Sequence, residues 1–407
     1  MFDVCIIGSG PAGMAAAIKA AQKGAKIKLL DKNKKAGKKL YATGNGKCNI
    51  TNQNIDYTSH YHSEYESYET FLNDIMGEAP CDCVKAFMDS IGVLTYTNNE
   101  GYVYPLSNQA SSVVWALLDA INKYNIDCDF KAEVLSVHRN NDEFIIKTQN
   151  ETITASQIVF ACGGKSYFAL GGTDSGYKLA KSFGHTIVPV RPSLCGMHTQ
   201  KNLSDIAGVR ARANANLVID DTIVATESGE IQFTENGLSG IAIFNLSSIA
   251  GKAIQKQQKV SIQLNLNSNI DQTQIDSLYI KNQNRTILGA LNGVYNDKLC
   301  SYILSQMGIN GKDTMKELSK NHFLQIIDTF SCLKFDIKDL YDYDQAQVCA
   351  GGVAINEINS KTCESKLINN VYFVGEMLDI DGICGGYNIT FALLSGICAG
   401  EHIYVTN

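Results

Sequence analysis

The segment from Asp3 to Asp31 constrains the fold more than any other stretch of the chain. It contains a short apolar run, glycines with Gly-x-Gly-x-x-Gly spacing at Gly8, Gly10 and Gly13, an alanine-rich run and a second apolar run. Such apolar runs are typical of strands buried on both faces of a parallel sheet, and the alanine-rich run fits a helix. The segment therefore predicts one strand–helix–strand unit, the context in which this glycine spacing indicates a dinucleotide site.

Each glycine of this motif has a separate physical role. Gly8 makes the tight turn, Gly10 lets the backbone approach a pyrophosphate because it has no Cβ, and Gly13 lets the helix pack closely on the strand. The pyrophosphate would lie at the helix N-terminus, where free N–H groups and the helix dipole favour negative charge. Asp31 ends the second strand, where its carboxylate can accept hydrogen bonds from an adenosine ribose. The alternative is a glycine-rich turn with a structural aspartate.

Length and charge argue against several classes of function. With 407 residues, the chain can bury a substantial core and is expected to form two or three domains. Its formal net charge of −6 argues against nonspecific binding of nucleic acid or of an anionic membrane as a main task. No apolar run is long enough for a membrane span, and the N-terminus starts directly in the first predicted strand without a basic leader. We therefore expect a cytoplasmic protein.

The thirteen cysteines are expected to be mostly free thiols. Their number is odd and no Cys-x-x-Cys pair occurs, a pattern that favours a reducing compartment. Two close pairs, Cys81 with Cys83 and His60 with His62, could hold a metal. Two thiolates separated by a single residue are poorly placed to bind one tetrahedral ion together. The two histidines are more typical of a polar loop. We predict no metal site. Cys48 lacks a second cysteine within the next thirty residues or so, which argues against a dithiol mechanism.

A second informative stretch follows Asp31. It combines several lysines, Lys39 among them, with the loop Gly44-Asn45-Gly46 ahead of Cys48. Lysines can neutralise phosphate charge, and a glycine-rich loop brings backbone donors close to a ligand. Glycine and asparagine also cluster where the backbone needs unusual angles. For the lysines alone, a solvated basic loop explains the sequence equally well.

The middle of the chain changes character twice. Residues 57–130 predict a helical insertion with polar turns, and the following residues a small β-meander. Residues 152–164 predict a buried strand that ends in glycines at the carboxyl edge of a sheet, where doubly wound folds bind ligands. Residues 191–268 and 330–344 are β-rich, whereas 270–329 carry helical periodicity. We interpret 191–344 as an inserted second domain.

The last sixty residues or so return to the pattern of the first thirty. A short apolar strand ends in Gly375-Glu376, and Gly385-Gly386-Tyr387-Asn388 opens an apolar helix. This is a second helix N-terminus that favours negative charge. If it points at N1 and the C2 carbonyl of a flavin, it would stabilise the negative charge of the reduced ring. Glu376 or Asp379 could accept hydrogen bonds from ribityl hydroxyls. The alternative is a buried C-terminal helix preceded by a glycine-rich turn.

Taken together, these motifs resemble the BaiN/YhiN-like flavoproteins, also called the aminoacetone oxidase family of FAD-binding enzymes. The matching segments are Gly8–Gly13, Gly37–Leu40, Gly44–Asn52, Tyr104–Pro105, Gly163–Tyr167, Phe233–Gly240, Gly351–Val353, Gly375–Asp379 and Gly385–Ile389. The chain departs from many relatives at two positions, with Glu235 in place of a histidine and Phe168 in place of a proline.

The resemblance implies an α/β fold with a Rossmann-like FAD-binding domain made of residues 1–190 and 345–407. The inserted substrate domain, 191–344, would be β-barrel-like with a helical excursion. The residues expected to contact FAD are Gly8, Ser9, Gly10, Pro11, Ala12, Gly13, Asp31, Lys32, Lys39, Leu40, Gly44, Asn45, Gly46, Cys48, Asn49, Val134, Ala161, Gly163, Gly375, Glu376, Asp379, Gly386, Asn388 and Ile389.

The function that follows from the resemblance is hydride transfer between flavin N5 and a small organic substrate, for example the C=C bond of an enone or a steroid-like compound. Because no second nucleotide motif occurs, NAD(P)H would either visit the substrate side as a transient reductant or not be used. Tyr387 and Glu235 are the candidate proton donors. One alternative is an amine oxidase that acts on aminoacetone-type substrates and produces peroxide. Another is a flavin-bound binding protein without small-molecule turnover. We expect no nucleic-acid or membrane partner, and the oligomeric state is not encoded in any motif.

Overall fold

The computed structural model describes residues 1–268 and 270–405, so that the last two residues of the predicted range 345–407 lie outside it. The chain divides into two compact units. The first unit combines Met1–Arg191 with Gln347–Asn407, and the second is Pro192–Ala346. Both ends of the chain therefore belong to the first unit.

Along the described residues, the strands are β1 (Phe2–Ile7), β2 (Ile27–Asp31), β3 (Thr51–Asn52), β4 (Tyr61–His62), β5 (Thr95–Thr97), β6 (Tyr102–Pro105), β7 (Asp127–Phe130), β8 (Val134–Asn140), β9 (Glu143–Thr148), β10 (Thr152–Phe160), β11 (Ile187–Ser193), β12 (Met197–Thr199), β13 (Arg210–Ile219), β14 (Thr222–Thr234), β15 (Gly237–Ser239), β16 (Val260–Asn265), β17 (Leu333–Leu340), β18 (Val348–Val353), β19 (Val371–Phe373) and β20 (Asp381–Gly382). The helices are α1 (Pro11–Gln22), α2 (Tyr57–His60), α3 (Tyr68–Met76), α4 (Pro80–Ser90), α5 (Ala110–Lys123), α6 (Ser175–Ser182), α7 (Ile241–Gln255), α8 (Gln272–Lys281), α9 (Ile287–Leu291), α10 (Asp297–Gln306), α11 (Lys320–Ser331) and α12 (Tyr387–His402).

A seven-stranded sheet lies at the centre of the first unit, within the described residues. Its parallel part has the order β7-β2-β1-β10-β19, and β9 and β8 continue from β10 as antiparallel strands. The strands β1 and β2 are buried along almost their whole length. Burial of this kind is expected of parallel strands covered on both faces. The predicted strand–helix–strand unit is therefore confirmed.

The edge strand β7 differs from the sequence-based expectation, which placed its residues in a helical insertion. It pairs with β2, and its carboxylates surround the buried ammonium group of Lys28. The Nζ atom of Lys28 lies 3.1 Å from Asp127 and 2.5 Å from Asp129. A charge buried on β2 needs such partners, so that a polar segment joins the sheet as a strand.

Helices α1 and α12 pack against each other through small residues. A Cβ atom on Gly396 would lie 2.2 Å from the carbonyl oxygen of Ala12, and one on Gly400 would lie 2.5 Å from that of Ala16. Because no side chain fits at these two glycines, the two backbones approach closely. This contact joins the first helix of the chain to the last one.

The second unit contains a closed antiparallel barrel with the strand order β12-β15-β14-β13-β16-β17 in the described residues. The helical segment from α8 to α11 interrupts the barrel strands between β16 and β17. Helix α7 buries apolar side chains such as Ile243 and Leu246 in the same core. The predicted combination of a Rossmann-like domain, a barrel and a helical excursion is confirmed. No helix among the described residues has both the length and the apolar character of a membrane span.

Candidate cofactor and active site

The first glycine motif has the geometry of a tight turn with one open position. A Cβ on Gly8, whose φ is +111°, would lie 2.2 Å from the carbonyl oxygen of Ala161, and one on Gly13 would lie 1.9 Å from that of Gly8. Gly10 is different, because no described atom lies within 4 Å of its Cβ position. The backbone at the start of α1 is therefore open to a ligand at Gly10, which fits a pyrophosphate group.

Asp31 connects the end of β2 to this turn. One of its carboxylate oxygens accepts hydrogen bonds from the backbone N–H of Ser9 at 2.8 Å and from its hydroxyl at 2.6 Å. The other oxygen accepts from the backbone N–H of Asn33 at 2.7 Å. These bonds fix the carboxylate beside the glycine turn. Since the oxygen that accepts only from Asn33 can accept a second bond, the group can still bind a ribose hydroxyl.

The loop after Lys39 has the unusual backbone that its composition indicates. Gly44, Asn45, Gly46 and Cys48 all have positive φ angles, between +53° and +83°. The side-chain oxygen of Asn49 is buried, and no described group donates a hydrogen bond to it. A buried acceptor without a donor is costly. A bound ligand that carries an N–H or O–H group would satisfy this oxygen.

Lys39 does not present a free charge to a phosphate. Its Nζ atom lies 2.8 Å from Oε2 of Glu376 and donates to Oγ of Ser166 at 2.7 Å. The backbone N–H of Cys349 also donates to Glu376, at 3.0 Å. A Cβ on Gly164 would lie 2.4 Å from the same carboxylate. The motifs around Lys39, Gly164 and Glu376 therefore converge on one polar cluster.

The N-terminus of α12 is held in place by its own loop and by β3. The amide group of Asn388 donates to the carbonyl of Gly382 at 2.7 Å and accepts from its N–H at 2.8 Å. A Cβ on Gly386 would lie 2.9 Å from the backbone of Thr51, and the amide of Asn52 donates to the carbonyl of Gly385 at 3.2 Å. Strand β3, which follows the Gly44–Asn49 loop, thus contacts the glycine pair that opens α12.

Asp379 is almost fully buried, with 1% of its surface exposed. One carboxylate oxygen accepts hydrogen bonds from the hydroxyl of Ser63 and the backbone N–H of Glu64, both at 2.9 Å. Burial raises the pKa of the Asp379 carboxyl to about 6; the charge of Asp381 adds to the rise, and the hydrogen bonds partly offset it. In the structure, Asp379 therefore fixes the segment after β4.

Five further predicted cofactor residues fall into two groups. Val134 and Leu40 are buried in the apolar core of the first unit, and Ile389 packs against that core. Gly163, just past the carboxyl end of β10, has a φ of +71°, and apart from its chain neighbours no described residue has an atom within 4 Å of its Cβ position. Lys32 places its Nζ 3.5 Å from the carbonyl oxygen of Gly172. Gly163 and Lys32 therefore lie at the sheet edge, whereas Val134, Leu40 and Ile389 offer only apolar contact.

The two candidate proton donors lie in different units. Tyr387 is 5% exposed, its ring stacks on that of His60 with 4.4 Å between centroids, and its hydroxyl donates to the carbonyl of Asn54 at 3.5 Å. Glu235 lies in the second unit, exposed in the turn between β14 and β15. Sequence reasoning missed His60 as a neighbour of Tyr387, and it missed Ser166, which lies within the Gly163–Tyr167 motif and could have been chosen there.

The cysteines and histidines that form close pairs in the sequence do not form a metal centre in the described residues. In that part of the chain, no group of three or more His, Cys, Asp or Glu side chains could hold an ion. Cys81 is buried on α4 and Cys83 is exposed. All thirteen cysteines, which the structure describes, are free thiols.

Comparison with known proteins places the chain among flavoproteins. A family model described as the HI0933-like protein Rossmann domain matches residues 2–402. The 3-dehydro-bile acid delta(4,6)-reductase of Clostridium scindens is 32% identical over 98% of both chains, and the ribosomal RNA dihydrouridine synthase of Escherichia coli is 29% identical over 99% of this chain and 98% of the relative.

A solved structure supports the fold alone. The 3-ketosteroid delta1-dehydrogenase of Sterolibacterium denitrificans, in complex with 1,4-androstadiene-3,17-dione, superposes with a TM-score of 0.52 over 99% of both chains at 11% identity. The sequence relatives confirm the resemblance to BaiN/YhiN-like flavoproteins that the motifs indicate, and they agree with the predicted class of flavin-dependent oxidoreductases. The chain belongs to the HI0933-like Rossmann family.

Proposed function

We propose that this protein is an FAD-dependent oxidoreductase that transfers a hydride from flavin N5 to a carbon–carbon double bond conjugated with a carbonyl group. The observation that carries the proposal is the convergence of two sites made by opposite ends of the chain. The open backbone at Gly10 suits a pyrophosphate, and the α12 N-terminus at Asn388 is fixed for a second anionic group. Bound FAD supplies the hydride chemistry.

The residues of this chain would bind and orient the cofactor. Gly10 and the first turn of α1 would hold the pyrophosphate, and Asp31 the adenosine ribose. The unpaired oxygen of Asn49 would accept a hydrogen bond from the cofactor. The N–H groups in the first turn of α12 would stabilise negative charge on the reduced ring. Lys39 and Glu376 would connect the two halves of this site through their ion pair.

The substrate class follows from the chemistry in the names of the two relatives. A 3-dehydro steroid with double bonds at positions 4 and 6 contains a carbonyl conjugated with C=C bonds. Uridine, which becomes dihydrouridine on reduction, contains a C=C bond conjugated with a ring carbonyl. In both cases a hydride at the β-carbon produces an enolate. A conjugated carbonyl compound is therefore the substrate class that both relatives support.

Uridine in RNA is the second candidate substrate, because the synthase relative matches the chain over nearly its whole length. The formal net charge of −6 weighs against it, since binding to phosphate backbones depends on lysine and arginine. Small conjugated carbonyl compounds without nucleic acid are therefore the first choice. NAD(P)H is the proposed reductant.

The test is anaerobic spectroscopy of the purified FAD-bound protein. NADH or NADPH should bleach the flavin absorbance at about 450 nm, and a 3-keto-4-ene steroid or a simple enone should restore it. Restoration by ribosomal RNA or a uridine oligonucleotide alone would establish the second candidate. Bleaching by aminoacetone, with peroxide formed in air, would establish the amine oxidase instead. A protein that stays colourless after incubation with FAD would overturn the whole proposal.

A further inference from the structure

His60 lies beside the N-terminus of α12, although it belongs to a remote segment of the chain. It ends α2 and precedes β4, which pairs with β20 so that His62 lies opposite Asp381. The carbonyl of His60 accepts from the backbone N–H of Ile383 at 3.0 Å. The imidazole stacks on the ring of Tyr387, with 26° between the ring planes. Backbone and side chain thus both hold His60 against the loop that leads into α12.

The hydrogen bonds of His60 determine which ring nitrogen carries the proton. The backbone N–H of Asp56 donates to Nδ1 at 3.0 Å, and Asp56 is fixed in turn by the backbone N–H groups of Thr58 and Ser59. Since a backbone N–H group can only donate, Nδ1 must hold a lone pair. The neutral ring therefore has its proton on Nε2. No described residue accepts a hydrogen bond from Nε2.

The protonation state of His60 agrees with this assignment. Burial lowers the pKa of the His60 imidazole, and the charge of Asp56 offsets this only in part. Protonation of Nδ1 would also replace an attraction to the N–H of Asp56 with a repulsion. The ring is therefore kept neutral, as a hydrogen-bond donor at Nε2.

Tyr387 is less suited to contact a substrate than His60. Its ring lies between His60 and the glycine loop, where a Cβ on Gly385 would be 2.5 Å from the ring, and its edge meets Tyr61. Its hydroxyl already has an acceptor in the carbonyl of Asn54. His60 is half-buried and stacks on Tyr387, which is 5% exposed, so that the imidazole is more accessible to a substrate than the tyrosine ring.

We propose that His60 is a catalytic residue whose Nε2–H group donates a hydrogen bond to the carbonyl oxygen of a conjugated substrate, an inference that rests on the proposed function. The hydride forms a C–H bond at the β-carbon, and the electron pair of the C=C bond moves to give an enolate. The negative charge then rests on the carbonyl oxygen, where the Nε2–H bond becomes stronger. A proton from water adds to the α-carbon and restores the carbonyl.

Two substitutions separate this role from a structural one. His60→Asn keeps an acceptor near Nδ1 for the N–H of Asp56 but has no group at the Nε2 position. His60→Gln can place an amide N–H near Nε2 but loses that acceptor. In stopped-flow experiments on the prereduced holoenzyme, we expect His60→Asn to slow reoxidation of the flavin by an enone by about 100-fold, the usual effect of removing one oxyanion donor. We expect His60→Gln to slow it by about tenfold or less.

A binding measurement gives a second readout without turnover. The 4-chlorophenolate ion resembles an enolate and is titrated into the oxidised holoenzyme while the flavin absorbance is followed. His60→Asn should weaken phenolate binding about tenfold or more, and His60→Gln should weaken it less. The control His322→Asn, at an exposed position on α11, should not change phenolate binding. Equal rates and equal affinities in wild type and His60→Asn would overturn the inference, as would a wild type that binds no phenolate. If only the enone reaction fails, the proposed function is wrong and the donor role of His60 stands on the binding data.

Discussion

Lys39 and Glu376 lie 337 positions apart in the chain, and their side chains form an ion pair with 2.8 Å between Nζ and Oε2. The pair is 30% and 19% exposed, and Ser166 and the N–H of Cys349 extend it into a network. A partly buried pair with several hydrogen bonds stabilises a fold more than an isolated surface pair does. This network joins the two ends of the chain at the candidate site.

We expect Lys39→Met to lower the free energy of unfolding by roughly 1–3 kcal/mol, because it leaves the Glu376 carboxylate without its cation. Urea unfolding of Lys39→Met, Glu376→Gln and the double variant gives the coupling energy of the pair. Lys178→Met is the matched control, since Lys178 forms an exposed pair with Asp174. Equal losses at Lys39 and Lys178 would show that the network contributes nothing beyond a surface pair.

Gly10→Ala should weaken FAD binding without unfolding the protein. The added Cβ meets no described atom, and the φ of −74° suits alanine, so the free energy of unfolding should change by less than about 1 kcal/mol. The methyl group would occupy the space where the pyrophosphate approaches, and we expect the Kd for FAD to rise about tenfold or more. Fluorescence titration of the apoprotein with FAD measures this.

Two further glycines serve as controls for Gly10→Ala. Gly229→Ala on β14 places its Cβ at ordinary contact distance and should change neither property. Gly13→Ala forces a backbone collision at 1.9 Å and should impair folding itself. Unchanged FAD affinity in Gly10→Ala would show that the pyrophosphate binds elsewhere.

The parts of the fold that depend on local patterns are those that the sequence predicts well. The unit from Phe2 to Asp31 can be predicted because its glycine spacing, apolar runs and helix composition all lie within one short segment. The positive φ angles from Gly44 to Cys48 follow from composition in the same way. Each of these features needs no knowledge of residues elsewhere in the chain.

The features that the sequence does not predict depend on distant partners. Asp127 and Asp129 belong to an edge strand because Lys28 is buried on the neighbouring strand, and nothing in their own segment indicates this. Tyr387 is a candidate proton donor because it lies beside the predicted flavin helix, but in the structure its ring stacks on His60, which comes from a remote segment. Local periodicity carries no information about which segments cover one another.

The thirteen thiols should differ widely in their reactivity. Cys83 and Cys332 are exposed, whereas Cys48 is fully buried and burial raises the pKa of its thiol to about 11. Since the thiolate is the reactive form, iodoacetamide at pH 8 should alkylate the two exposed residues first and Cys48 only slowly. Peptide mass spectrometry follows each site, and in urea all thirteen should react. Rapid labelling of Cys48 in the folded protein would contradict this prediction. It would indicate an accessible thiolate and would support thiol chemistry at the proposed flavin site.

Asp379 should make the stability of the apoprotein depend on pH in a defined direction. Its pKa is about 6 in the folded protein against 3.8 ordinarily, so the fold binds this proton more tightly than the unfolded chain does. The resulting stabilisation is fully present below pH 3.8 and is lost as the pH rises through 6. Between pH 5 and pH 7.5 the loss amounts to about 1.4 kcal/mol.

Replacement of Asp379 by asparagine tests this dependence. Asparagine retains an acceptor for Ser63 and for the N–H of Glu64, and it carries no charge to be desolvated. Relative to wild type, Asp379→Asn should therefore gain about 1.4 kcal/mol in the free energy of unfolding when the pH is raised from 5 to 7.5. Urea unfolding of the FAD-free proteins at both pH values measures the difference, with the exposed Asp328→Asn as the control for loss of one carboxylate. The prediction is wrong if the difference in free energy of unfolding between Asp379→Asn and wild type is the same at both pH values. That result would mean that Asp379 is ionised throughout this range and that the polar groups around it compensate its burial completely.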